Sequence, residues 1–269
     1  MTDSPTTRTV KLSTVALPAE HGGWGFLFEP IVLGLLLAPT GWGALLALGV
    51  VAAFLTHQPL KLTLKDRQNG VRLPRTVWAE RFLLIYGGVA LLSLGIVTLF
   101  APRLFWLPLL LAAPLALIQV LYDARGQSRA AVPEIAGASA LAAVAPALVL
   151  IDEQSLWLAL AVWLALLTRI WPSIEYVRVK LRQVKGKTPD LRPFWALQLG
   201  VIAVAALATT FGAWPWSVLA ANSVLLLRSF LSLHIFTQPI KAMWVGIQEL
   251  VLGLLFVLLT ALGYLLSAG

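Results

Sequence analysis

Residues 155–172 read SLWLALAVWLALLTRIWP, a nearly unbroken apolar run, and six Lys and Arg residues follow between positions 178 and 192. An apolar helix of roughly 17–25 residues spans the hydrocarbon core of a bilayer. The same pattern of an apolar run and a polar gap recurs along the chain. The apolar segments are residues 22–38, 41–57, 82–101, 104–121, 132–150, 155–172, 194–211, 214–236 and 243–266. We therefore predict an all-α polytopic membrane protein with about nine transmembrane helices.

The basic residues give this arrangement an orientation. Seventeen of the 20 Lys and Arg residues fall in every second gap between the apolar segments. Cytoplasmic loops are enriched in Lys and Arg, so these gaps are predicted to face the cytoplasm. The N-terminus is then inside and the C-terminus outside. Two of the remaining three, Arg169 and Arg228, lie within predicted helices.

Composition supports a single membrane domain. Of the 269 residues, 59% are hydrophobic and 12% are charged, and there is no cysteine. The absence of cysteine excludes disulfides and thiolate metal sites. The net charge of +8 occupies short loops, where topology and lipid headgroups account for it better than nucleic acid does. We predict a cytoplasmic tail over residues 1–20 and one integral membrane domain over residues 21–269, in the inner membrane of a bacterium.

Polar residues gather at the predicted cytoplasmic ends of the helices. They include His21, His57, Gln58, Tyr122, Asp123, Glu134, Glu175, Tyr176, His234 and Gln238. We expect such ends to surround a polar cavity open to the cytoplasm, with His21, Glu29, His57 and Glu175 as candidate catalytic residues. The alternative is that these are ordinary interfacial side chains.

Four charges lie deeper in the predicted helices. They are Glu29, Arg169, Arg228 and Glu249. Each lies six or eight residues from the nearest polar helix end, which is a distance of roughly 9–12 Å along the helix at 1.5 Å per residue. A lone charge at that depth costs at least ~3 kcal/mol, so we predict that the four pair across helices. They form either a structural clamp or the floor of a substrate or proton site.

Two basic gaps, residues 61–76 and 178–189, resemble each other. Each runs from a basic helix end through Arg-Gln to a Gly, then to a basic residue and a Pro. Arginine and lysine beside a tight turn suit a phosphate or diphosphate, although topology alone also makes such loops basic. The candidate substrate-binding residues are Arg67, Arg72, Arg75, Tyr122, Arg178, Arg182, Lys187 and His234.

The opening LPAEHGGWGFLFEP at residues 17–30, with Pro74-Arg75-Thr76 later, resembles the YwiC-like family of bacterial membrane proteins. More distantly, nine crossings and functional-looking loops after the second and sixth helices resemble the UbiA superfamily of intramembrane prenyltransferases. That resemblance implies an isoprenoid diphosphate substrate and magnesium. The stretch Gly186-Lys187-Thr188-Pro189 is similar to one that follows the second aspartate motif of that superfamily.

The aspartate motifs themselves are missing. Residues 57–61 read HQPLK where the first motif is expected, and the second region offers Glu175 followed by Arg178 and Lys180. Because magnesium prefers several carboxylate or phosphate oxygens, we predict no protein-held metal, and the cofactor stays open.

Three functions remain possible from the sequence. One is a transferase or lyase acting on an isoprenoid or other anionic lipid, with apolar faces rich in Trp and Phe around its tail and His21 or Glu29 handling a proton. The second is a transporter in which the four deep charges form a polar path. The third is a haem or metal protein using His21, His57 and His234. Membrane lipids are the expected partners in each case.

Overall fold

A computed structural model describes residues 11–18, 21–127, 130–236 and 240–267 of the chain, without the side chains of residues 21 and 22. Of the residues in these ranges, 85% are helical, and none lies in a strand. A 3-10 turn at Arg103–Phe105 precedes α5, and a π-helix at Leu231–Ile235 continues α10. The helices are α1 (Leu12–Ala16), α2 (His21–Leu37), α3 (Gly41–Gln68), α4 (Pro74–Phe100), α5 (Trp106–Ala124), α6 (Ala131–Ala142), α7 (Val144–Ile151), α8 (Leu156–Val184), α9 (Arg192–Thr210), α10 (Trp216–Phe230) and α11 (Ala242–Ser267).

The predicted class of fold is confirmed. Over the described part of the chain, eight helical stretches are long and apolar enough to cross a membrane. Three of them are composite, because the 3-10 turn runs on into α5, α6 is followed by α7 and α10 runs on into the π-helix. The shorter apolar helix α2, of 17 residues, corresponds to the first predicted segment, so the expected number of about nine is close.

The predicted boundaries of the basic gaps are wrong. Helix α3 continues to Gln68, α4 begins at Pro74 and α8 continues to Val184. Most of the basic residues assigned to loops therefore lie on helices. Helical hydrogen bonding does not stop where the hydrocarbon ends, and the long side chains of Lys and Arg extend toward water from the last turns.

Contacts group the chain into two compact units. The first unit contains residues 11–18 and Leu45–Leu99, and so holds α1, most of α3 and α4. Within it, a Cβ added at Gly49 would lie 3.0 Å from Ser93 Cβ, which shows how closely α3 and α4 approach. Small residues at helix contacts permit such packing inside membranes.

The second unit contains His21–Ala44 and the described residues from position 100 onward. Helix α8 is its central element and packs against α6, α7, α9, α10 and α11, while α2 packs against α6, α7 and α11. The core is rich in alanine, including Ala142, Ala145, Ala161 and Ala165. Small side chains let the α8 backbone approach its neighbours closely, and this brings residues far apart in sequence into contact.

Candidate functional site: a buried charge cluster beside a Trp-lined groove

One face of α8 carries polar residues that are buried. Its members are Arg169, Ser173, Tyr176 and Lys180, none of them more than 3% exposed. Their spacing of four, three and four residues places them on one side of a helix over roughly 16 Å of its length. Polar groups enclosed among apolar helices need partners from neighbouring helices, because water is not available to them.

The guanidinium of Arg169 lies between acids from two other helices. Its Nη2 is 2.9 Å from Oε1 of Glu29 on α2 and donates to the backbone oxygen of Glu249 on α11 at 2.8 Å. Its Nη1 lies 3.4 Å from Oε2 of Glu249. Arg169 therefore ties α2, α8 and α11 together at one point.

Glu249 also binds a second arginine. Its Oε1 is 2.8 Å from Nη2 of Arg228 on α10, and its Oε2 accepts a hydrogen bond from the Ser173 hydroxyl. The guanidinium carbon of Arg228 lies 3.7 Å from the centre of the Tyr176 ring, a cation–π contact. We call Glu29, Arg169, Arg228 and Glu249 the charge cluster. Its formal charges balance, as burial in an apolar environment requires.

A glycine makes room for the cluster. A Cβ added at Gly253, one turn after Glu249 on α11, would overlap the carboxylate of Glu29 and lie 2.7 Å from Nη2 of Arg169. On α2, a Cβ at Gly25 would lie 3.4 Å from Oε1 of Glu29. Gly253 therefore allows α2 and α11 to close around the ion pair.

The polar face of α8 extends from the cluster to the end of α10. The Tyr176 hydroxyl lies 2.7 Å from Oγ of Ser232, which is part of the π-helix. Nζ of Lys180 donates to the backbone oxygens of Ser232 at 2.7 Å and Phe236 at 3.1 Å. A cation at a helix C-terminus satisfies carbonyl groups that have no helical partner. Lys180 therefore holds the end of this helix against α8.

A second face of α8 lines an apolar groove of about 510 Å³ shared with α9. Its lining includes Trp157, Trp171, Trp214, Gly200 and Thr168. The groove opens on the surface of the second unit, where Trp157 is 63% exposed. Between Trp157 and Trp171 it follows α8 for roughly 21 Å. The indoles of Trp171 and Trp214 are fixed by hydrogen bonds to Ser139 Oγ (2.9 Å) and the Ala161 oxygen (3.0 Å), so the walls of the groove are preformed.

The groove reaches the level of the charge cluster along α8, because Thr168 and Trp171 line it and Arg169 lies between them in sequence. Trp171 lies between Arg169 and Ser173 in sequence, and Leu197, which lines the groove, precedes Gln198. Gln198 Nε2 donates to Oγ of Ser229 at 2.9 Å, and Ser229 follows Arg228. An apolar groove thus reaches the level of the buried charges.

In the first unit, the predicted phosphate-binding arginines contact carboxylates. Arg67 and Arg72 lie 3.0 Å and 3.2 Å from the two oxygens of Glu80. Arg75 binds the fully buried Asp66 through two nitrogens, at 2.7 Å and 3.1 Å. Asp66 also accepts a hydrogen bond from the Thr76 hydroxyl at 2.7 Å. These contacts connect the end of α3 to the start of α4, and this role was not foreseen from the sequence.

The second basic gap shows a similar arrangement. Nη1 of Arg178 is 2.9 Å from Oε2 of Glu134, and its Nε is 4.0 Å from Oε1 of Glu175. Arg182 and Lys187 are exposed, and Tyr122 is half-buried. His234 is exposed and stacks against Trp195 and Phe230, with ring centres 5.5 Å and 5.3 Å apart. His57 is exposed and belongs to the first unit, whereas the side chain of His21 lies outside the described part of the structure.

The likeness between the two gaps has a structural cause. Gly70 and Gly186 have φ values of 65° and 73°. The residue after each glycine donates to the backbone oxygen five positions earlier, with Val71 bonding to Asp66 and Lys187 to Arg182. This is the Schellman cap of an α-helix. Gly126 and Gly212 have the same sign of φ and the same pattern of bonds, so the glycine of the repeat marks the end of a helix.

Sequence reasoning singled out the charge cluster but assigned no role to Ser173, Lys180 or Ser232. The signal for the first two was present, because they share a helical face with Arg169 and Tyr176. Ser232 was not detectable, since its contacts depend on where the π-helix ends. Among the side chains that the structure describes, no group of three or more His, Asp and Glu is placed to hold a metal ion.

These features define the class of protein: an α-helical multi-pass membrane protein with a charge cluster buried between four helices. Residues 17–149 match the model of the YwiC-like protein family, a family of bacterial membrane proteins. The resemblance of the opening motif is therefore confirmed. The matched region contains Glu29, whereas the other three members of the charge cluster lie beyond it. Comparison with curated proteins and with solved structures gives no match.

Proposed function

We propose that this protein binds an anionic amphiphile of the isoprenoid or related lipid class in its second unit, and that this molecule is the substrate of a UbiA-like transfer reaction in a bacterial inner membrane. The observation that carries the proposal is the preformed Trp-lined groove of about 510 Å³ that reaches the level of the buried charges. A long apolar groove that reaches the level of buried charges suits a molecule with an apolar tail and a charged head.

The groove favours a flexible chain as its occupant. Gly200 contributes no side chain, and a Cβ added there would meet nothing within 4 Å. Indoles supply large apolar contact areas at low entropic cost, because they have few rotatable bonds. An isoprenoid tail lying along α8 would bury its own apolar surface and that of the groove.

In the proposed reaction, an acceptor nucleophile forms a bond to the isoprenoid carbon. The bond from that carbon to the diphosphate oxygen breaks, and the diphosphate leaves with the electron pair. The acceptor loses one proton. Glu29 is the proposed proton acceptor, because its Oε2 is buried and has no hydrogen-bond partner among the described residues.

Native mass spectrometry of protein purified in mild detergent, with added farnesyl diphosphate, tests the proposal. We expect a bound isoprenoid in the wild type and its loss in Gly200→Trp, which fills the groove. Gly95→Trp is the matched control, because a Cβ at Gly95 also meets nothing within 4 Å and the residue lies on α4 in the first unit. Equal binding by all three proteins would refute the proposed groove. Uptake of the isoprenoid into proteoliposomes without chemical change would instead support the transporter.

A further inference from the structure

We infer that the guanidinium of Arg228 is a receptor for an oxyanion, either the diphosphate or phosphate head of an amphiphile or the equivalent free anion. The inference deepens the proposed function and rests on it for the choice of an amphiphile. The anion site itself follows from the surroundings of Arg228.

The first argument is unsatisfied hydrogen-bonding capacity. Arg228 is 9% exposed, and only its Nη2 contacts an acid, Glu249. Its Nε and Nη1 are buried and have no hydrogen-bond partner in the described structure. Buried donors without partners are costly, and those on a charged group are the most costly. Oxygen atoms of a bound anion would satisfy both nitrogens in the geometry that guanidinium groups prefer.

The second argument is orientation. Glu249 fixes one nitrogen at 2.8 Å, and the ring of Tyr176 covers one face of the guanidinium at 3.7 Å. The Tyr176 hydroxyl is itself placed by Ser232 at 2.7 Å. The plane of the guanidinium is therefore set before any ligand arrives, which lowers the entropic cost of binding.

The third argument is charge. The charge cluster is neutral, but Lys180 adds one buried positive charge, and its amino group contacts only backbone oxygens. Tyr176 links this lysine to Arg228 through Ser232. Together with the cluster, the described polar face of α8 therefore has a formal charge of +1. The negative charge of a bound phosphate or diphosphate would offset this excess positive charge.

The test compares three ligands on the purified full-length protein: farnesyl diphosphate, farnesol and inorganic phosphate. We expect the wild type to bind farnesyl diphosphate at least about tenfold more tightly than farnesol, as a charge-assisted contact provides. Arg228→Gln should remove this difference while farnesol still binds, which also shows that the variant is folded. Arg228→Lys should recover only part of it, because an ammonium lacks the paired donors. Arg103→Gln, an exposed arginine, is the control and should change nothing.

The outcomes separate this inference from the proposed function. An unchanged preference for farnesyl diphosphate in Arg228→Gln would overturn the anion site while leaving the groove in place. If neither isoprenoid binds the wild type, the proposed function fails, and inorganic phosphate then decides the anion site. Phosphate that raises the melting temperature of the wild type but not of Arg228→Gln would identify a free anion as the ligand. If phosphate leaves the melting temperature of the wild type unchanged, the inference is overturned.

Discussion

Replacing Gly253 with alanine should disturb the charge cluster more than its size suggests. The added methyl group would overlap the Glu29 carboxylate and lie 2.7 Å from Nη2 of Arg169. These groups cannot move away freely, because Arg169 is 1% exposed and also bonded to Glu249. Overpacking alone costs roughly 1–3 kcal/mol, and deleting one partner of a buried ion pair costs roughly 3–5 kcal/mol. Displacement of the pair lies between these cases, so we expect a loss of about 2–4 kcal/mol.

The control is Gly246→Ala on the same helix, where a Cβ meets nothing within 4 Å. Alanine there should stabilise α11 by about 0.5–1 kcal/mol, because glycine is the weaker helix former. Free energies of unfolding from denaturant titration in mixed micelles provide the comparison. The two variants should change stability in opposite directions. If Gly253→Ala were as stable as Gly246→Ala, the tight closure of α2 on α11 would be refuted.

Three further experiments test the contacts that surround this site and the turn between α3 and α4. Asp66→Asn should weaken the bond to Arg75 and destabilise that turn by about 2–3 kcal/mol, seen as faster hydrogen exchange there; unchanged exchange would contradict the role. Glu249→Gln should cost more than Glu29→Gln, roughly 3–5 kcal/mol, because Glu249 contacts both arginines; equal losses in a micelle unfolding assay would argue against its central position. Lys180→Met should speed exchange at the amides of the π-helix without altering α2, because its amino group caps that helix; protection equal to wild type would show that the cap is unimportant.

The helices were predictable from sequence because the apolar segments are long and the basic gaps are distinct. What the sequence pattern misplaced were the helix ends. Hydropathy marks the hydrocarbon boundary, but the backbone hydrogen bonds of α3 and α8 continue past it until a glycine terminates them, at Gly70 and Gly186. The glycine that ends each helix was visible in both gaps, but the sequence pattern around it was interpreted as a phosphate-binding turn.

The pairing of the four deep charges could also be predicted from the sequence, because an isolated charge at that depth is too costly. Counting residues from the helix ends put all four at one level, and the structure brings them into contact. The apolar groove was not accessible in this way. Its walls come from positions such as Trp157, Gly200 and Trp214, and only the packing of α8 against α9 shows that these face one another.

Three of the four helices that carry the cluster contain a proline or a π-helix close to the charge, and the fourth, α11, contains a glycine there. Pro30 follows Glu29 directly, Pro172 comes three residues after Arg169, the π-helix begins three residues after Arg228, and Gly253 comes four residues after Glu249. A proline removes one helical hydrogen bond, a π-helix changes the pattern of bonds, and a glycine lets another chain approach. Such irregularities are tolerated in membranes where neighbouring helices satisfy the freed groups, and here the backbone oxygen of Glu249 accepts from Arg169.

A clamp that served stability alone would need the ion pairs and Gly253, but neither the two prolines nor the π-helix. The prolines and the π-helix cost helical stability, whereas Gly253 makes room for the ion pair itself. Local departures from regular helix geometry are frequent at functional sites. The coincidence of three irregular helices with the nitrogens of Arg228 that have no hydrogen-bond partner in the described structure therefore favours a binding site over a purely structural clamp. Changing Pro172 to alanine separates the two hypotheses. If the cluster is only a structural clamp, the variant should be more stable than the wild type and bind farnesyl diphosphate with unchanged affinity. If the cluster is a binding site, the variant should be more stable but bind farnesyl diphosphate more weakly.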